Sequence, residues 1–123
     1  MKIEVPNSEI LDKYSILLIK SARVLDREEL VFIHQQISSF EKKIPSNFLE
    51  LNQFLDLVNV NEKIWDLQDE LRLKVKKRYF HYFTIFNICW QLVLNNDERG
   101  RIKRKIDRET DSKYFESKNF NLE

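Results

Sequence analysis

The chain has 123 residues, 42% hydrophobic and 33% charged, enough for one core and unlike either a disordered segment or a membrane protein. Its 21 lysines and arginines balance 20 acids to a net charge of +1, which makes no general case for a polyanionic partner. A single glycine excludes a P-loop, a dinucleotide-binding turn and a nucleophile elbow, each of which needs glycines where backbone turns tightly or approaches a phosphate.

Helical periodicity predicts four segments. Ser8 is placed to cap a first helix running to about Leu25, with Ile10, Leu11, Tyr14, Leu17, Leu18 and Ala22 among its apolar positions. Asp26 and Glu29 form a capping-box pattern that restarts the chain as a second helix. In it Leu30, Ile33, Ile37, Phe40 and Ile44 recur at three- and four-residue steps until Pro45 stops it. Asn47 and Glu50 suggest another cap, opening a long third helix with the stripe Leu57, Val60, Ile64, Leu67, Leu71 and Val75. A reversal near Arg78 then leads into a fourth helix ending at about Arg108.

No glycine or proline lies near Lys77, so the alternative is one continuous rod, which roughly 50 residues of helix would make unusual. The segment Tyr82 to Leu94 is apolar almost all round, which predicts a central helix touching neighbours on two sides. It also contains Thr84, Asn87 and Gln91 and is too short to cross a bilayer. Met1 to Pro6 has no signal-peptide core, and a cytoplasmic location is expected. Cys89, the only cysteine, reads as a small buried hydrophobe. Ile3 and Val5 at one end, and Phe120 and Leu122 at the other, alternate with polar residues as short extended segments would.

The most informative stretch is Leu94-Asn95-Asn96-Asp97-Glu98-Arg99-Gly100, where amides and charges continue the apolar stripe Ile85, Ile88, Leu92, Asn95, Arg99, Ile102, Ile106. An antiparallel hairpin centred on Arg78 brings Asn61 beside Asn95 and Asn96, with Trp65 one turn along. Two readings follow. Asn61, Trp65, Asn95, Asn96, Arg99 and Lys103 line a pocket whose cations grip a carboxylate or phosphate, or they form a buried hydrogen-bonded layer that fixes helix register. The layer is the favoured reading, because buried ionic networks commonly satisfy themselves. Gly100 permits close helix approach in either case.

Glu62, Asp66, Asp69 and Glu70 form a carboxylate row of the kind that holds Mg²⁺ in all-helical nucleotide pyrophosphatases. A matching acid pair on the facing helix is missing, and a solvated face with pairs such as Glu70 and Lys74 fits better. The basic groups Arg99 to Arg108 and Arg72 to Arg78 suggest a weak nucleic-acid footprint, which the neutral net charge argues against. His34 and His81 make no metal motif, and no cofactor is implied. The first helix carries Asp12, Lys13, Lys20 and Arg23 in an apolar setting. Its cadence is similar to the opening helix of helical chorismate mutases, whose basic residues face a dicarboxylate ligand, although snorkelling lysines are the commoner explanation.

Val5-Pro6, Glu9, Asp12-Lys13, Ser15-Ile16-Leu17, Ile19-Lys20 and Arg23, with Asn61, Trp65-Asp66, Asp69 and Arg72, resemble a family of short bacterial proteins classed as a domain of unknown function. Asn96-Asp97, Arg99, Lys103-Arg104 and Ile106 resemble its Asn-Asp-Arg-Arg-Ala helix, and Glu116-Ser117-Lys118 its Glu-x-Lys-Ser-Tyr tail. Glu98, Gly100 and Phe120 depart from those motifs. The resemblance implies a helical domain and no known activity.

The expectation is therefore an all-α single domain over residues 1–123, an antiparallel bundle of about four helices with short extended termini. The leading function is a binding or assembly protein that forms homo-oligomers, because the long aromatic helices carry more apolar surface than two short ones cover. A small-anion pocket between helices, with or without catalysis, is the alternative, and a weak nucleic-acid binder is third.

Overall fold

A computed structural model of the chain describes residues 5–79 and 81–110, and these are all-α. The helices are α1 (Asn7–Arg23), α2 (Arg27–Lys43), α3 (Ser46–Leu49), α4 (Asn52–Lys76) and α5 (Tyr82–Glu109). The helices α4 and α5 form a hairpin, α1 lies against both, and α2 packs on α1. The core joins Leu11 and Tyr14 of α1, Ile44 beyond α2, Phe54, Leu57, Val60 and Ile64 of α4, and Ile102 and Ile106 of α5. Tyr14 and Phe54 stack with ring centroids 5.9 Å apart. The expected extended segments at Ile3 and at Phe120 and Leu122 lie outside the described residues.

The second helix starts as its capping box requires, with the Asp26 carboxylate accepting the Glu29 N–H at 3.2 Å. Two other expected caps differ. Pro6 occupies the cap position of α1, and Ser8 sits inside the helix with its hydroxyl and backbone N–H donated to Asp107 of α5. A carboxylate from another helix thus satisfies the Ser8 N–H, one of the donors left open in the first turn of α1. Asn47 does not open the long third helix: the chain makes the single turn α3, and α4 begins at Asn52 after Leu51.

The reversal is a hairpin, not a rod. Arg78 adopts the left-handed conformation at φ 55, the Tyr79 N–H reaches the Lys74 carbonyl at 2.8 Å, and the Arg78 N–H reaches that of Val75 at 3.0 Å. This is a Schellman ending with arginine where glycine usually stands. The Lys74 ammonium lies 4.9 Å from the Tyr79 ring centroid, and His81 Nδ1 accepts the Thr84 N–H to start α5. A side chain at positive φ costs on the order of 1 kcal/mol, so Arg78→Gly should raise stability in urea denaturation by about that amount. An unchanged or lowered midpoint would argue against strain at this turn.

Candidate functional site

Polar residues on three helices meet at Asp12. Its side chain is 3% exposed, and Arg99 of α5 pairs with both carboxylate oxygens, the Nε bond to Oδ1 measuring 3.1 Å. The Asn61 amide of α4 donates to the same Oδ1 at 2.9 Å and to Ser15 Oγ at 2.7 Å, and the Ser15 hydroxyl donates to the Asp12 carbonyl at 2.7 Å. Lys103 bonds Glu9 at 2.6 Å and stands 3.7 Å from Asp12 Oδ2. Among the described residues no buried side-chain nitrogen or oxygen lacks a hydrogen-bond partner.

Burial alone pushes the Asp12 carboxyl up. The hydrogen bonds from Arg99 and Asn61 and the positive charges of Arg99 and Lys103 outweigh it and hold the group below the usual carboxylate range. The bond to Asp12 in turn raises the Arg99 guanidinium above its ordinary value.

Of the six candidate site residues, the structure brings Asn61, Arg99 and Lys103 together at Asp12. Asn95 and Asn96 turn their amides back to the Gln91 and Leu92 carbonyls of their own helix, Asn96 exposed and Asn95 half-buried, and Trp65 is half-buried one turn beyond Asn61. Sequence reasoning missed the centre of the cluster. Asp12 carries a signal, an acid beside Leu11 on the buried side of α1, but sequence proximity groups it with Lys13 and Lys20 of its own helix. Lys13 is exposed, and Arg23 pairs with Asp66 and, at 3.7 Å, with Glu62. With Asp69 paired to Arg72 at 3.4 Å, that carboxylate row is largely spoken for by arginines. Among the described residues no group of three or more His, Cys, Asp or Glu side chains is arranged to hold a metal ion. Gly100 does not admit a neighbouring helix: the atom nearest a Cβ there would be Arg104 Nη1, at 3.5 Å.

The second candidate region is the far end of the hairpin. Among the described residues, bonds from α1 reach α5 and its C-cap at Arg99, Lys103, Asp107 and Thr110 and α4 at Asn61, Glu62 and Asp66, and the ends of the hairpin near Arg78 lie beyond these points. The expectation of a central Tyr82–Leu94 helix fails here. Tyr82, Phe83, Phe86, Trp90, Val93 and Leu94 are each about half exposed or more, and Ile88 is the residue of this segment that is buried. Cys89 is exposed with them, not buried. The apolar circumference exceeds what one neighbouring helix covers. Tyr82, Phe86 and Trp90 stack along it at centroid distances of 6.1 and 6.4 Å.

A family profile matches the chain over residues 1–123. The protein belongs to a family of unknown function, DUF6165. No curated protein and no solved structure matches the chain. Membership therefore assigns no reaction to the Asp12 cluster or to the aromatic face. Among the described residues no helix is long and apolar enough to cross a membrane.

Proposed function

We infer that the protein is an assembly module whose α4–α5 arm pairs with the arm of a second copy. The observation that carries this reading is the exposed stripe Tyr82, Phe86, Cys89, Trp90 and Val93, flanked by Phe83 and Leu94, on a segment without one charged side chain from Tyr82 to Leu94. Charge-depleted, aromatic-rich patches are typical of interface cores, and an apolar patch left in water is costly. Charge also favours a second copy over an unrelated partner. The arm runs along α4 from Glu62, Asp66, Asp69 and Glu70 to Lys74, Lys76, Lys77 and Arg78 at its tip. Two arms laid antiparallel about a two-fold axis set each basic tip against the other copy's acidic segment, whose four carboxylates outnumber the two arginines, Arg23 and Arg72, that already pair with three of them. Light scattering at micromolar concentration should give twice the 15.0 kDa of one chain. A single-chain mass across a hundredfold concentration range would overturn the reading.

The alternative, a small anion held by Asn61, Trp65, Asn95, Asn96, Arg99 and Lys103, draws support from the partial exposure of the Arg99 and Lys103 side chains, 29% and 18%. Both cations already face carboxylates, so an incoming anion must compete with Asp12 and Glu9. For that reason assembly stands first.

A further inference from the structure

We propose that the groove between α4 and α5 at the end opposite the aromatic tip binds a small phosphate ester. The groove encloses about 450 Å³ and is lined on α5 by Arg101, Arg104, Lys105 and Arg108 and on α4 by Asp56, with the buried Ile102 at its floor. The cations recur at three- and four-residue steps, so one stretch of helix presents them together. Their pairing separates this groove from the Asp12 cluster. Arg101 is bound to Glu98 at 2.6 Å, whereas Arg104 and Lys105 have no ion pair or hydrogen bond among the described residues. The Arg104 guanidinium folds back over Gly100 and meets no carboxylate. Two uncompensated cations beside two further arginines make a multidentate seat for a dianion.

The remaining lining narrows the ligand. Asp56 and Glu98 border the cations, and carboxylates repel a continuous phosphate backbone but accept hydrogen bonds from hydroxyl groups. The volume lies within the usual range of small-molecule sites. The lining residues of α5 run from Glu98 to Arg108, about 15 Å of helix, too short to track a nucleic-acid duplex over several turns. A sugar-phosphate-sized molecule satisfies both features, its phosphate on Arg104 and Lys105 and its hydroxyls toward Asp56.

Titration calorimetry at about 150 mM salt with ribose 5-phosphate, and with inorganic phosphate for comparison, tests the assignment. Ribose 5-phosphate should bind saturably and more tightly than phosphate. Arg104→Gln combined with Lys105→Gln should weaken it by about tenfold or more, with Lys42→Gln plus Lys43→Gln at the end of α2 leaving it unchanged. All four positions are exposed, so the variants should melt like the parent. No saturable binding at millimolar concentration, or equal weakening by both pairs of substitutions, would overturn the proposal. Binding of a DNA duplex more tightly than the sugar phosphate would overturn it as well, by showing a general polyanion surface.

Discussion

Replacing Arg99 with methionine is expected to destabilise the protein by about 3 kcal/mol at neutral pH, because it leaves the Asp12 carboxylate buried without its bidentate cation. Methionine keeps much of the apolar stem, so most of the loss comes from charge and hydrogen bonding. The pH dependence gives a second signature. In the parent, Asp12 titrates below its unfolded value of about 3.9, so its contribution is present above that pH and is lost as pH falls through the folded value. In Arg99→Met the largest opposing influence is gone, Lys103 and Asn61 alone offset the upward push of burial, and acidification costs the variant less than it costs the parent. The gap between the two in urea denaturation should therefore be widest near neutrality and narrow toward pH 3. A variant as stable as the parent at pH 7 would show that Arg99 is not bound into the fold and would revive the ligand reading of the site.

The combined substitution Phe86→Lys and Trp90→Lys should abolish self-association while leaving each chain folded. Both side chains are more than half exposed, 55% and 53%, and lysine is a good helix former, so α5 has little to lose within one chain. In the paired state each aromatic ring brings a large apolar area to the interface, and truncating such an anchor commonly costs about 2 kcal/mol or more. Two together weaken dimerisation by more than about a hundredfold, and four inserted ammonium groups across the two-fold repel one another. Helical content by circular dichroism should stay at the parental level as the scattering mass halves. An unchanged mass would place the contact elsewhere on the molecule.

How much of this was legible depends on the range of the interaction. The start of α2 at Asp26, its stop before Pro45 and the long α4 and α5 stripes are local patterns, and the structure contains them. The hairpin is expected from length, with a rod as the alternative, and not from any turn signal, since its reversal rests on Arg78 at positive φ, which spacing does not reveal. Arg99 is visible as a polar break in an apolar stripe, and Asn61 through its level with Asn95 and Asn96 in the expected hairpin. Their common partner Asp12 lies far away in the chain, 49 residues from one and 87 from the other, and periodicity along a single helix carries no such pairing. The same gap explains Ser8, which resembles a cap locally but is claimed by Asp107 across 99 residues. The reading of Tyr82 to Leu94 as a central helix took apolar circumference to mean burial within one chain, whereas α1 does not extend far enough to provide it.

Cys89 supplies a built-in probe of the central claim, since it is the only cysteine, is exposed in the single chain and lies within the Tyr82–Val93 stripe. Its rate of reaction with a thiol reagent, measured over a hundredfold range of protein concentration, reports directly on whether that face is covered. Pairing through the α4–α5 arms predicts a rate that falls as concentration rises, in step with the growth of the scattering mass, and that becomes independent of concentration in the Phe86→Lys, Trp90→Lys variant. A rate that stays constant in the parent over the whole range, whatever the mass, would contradict the account.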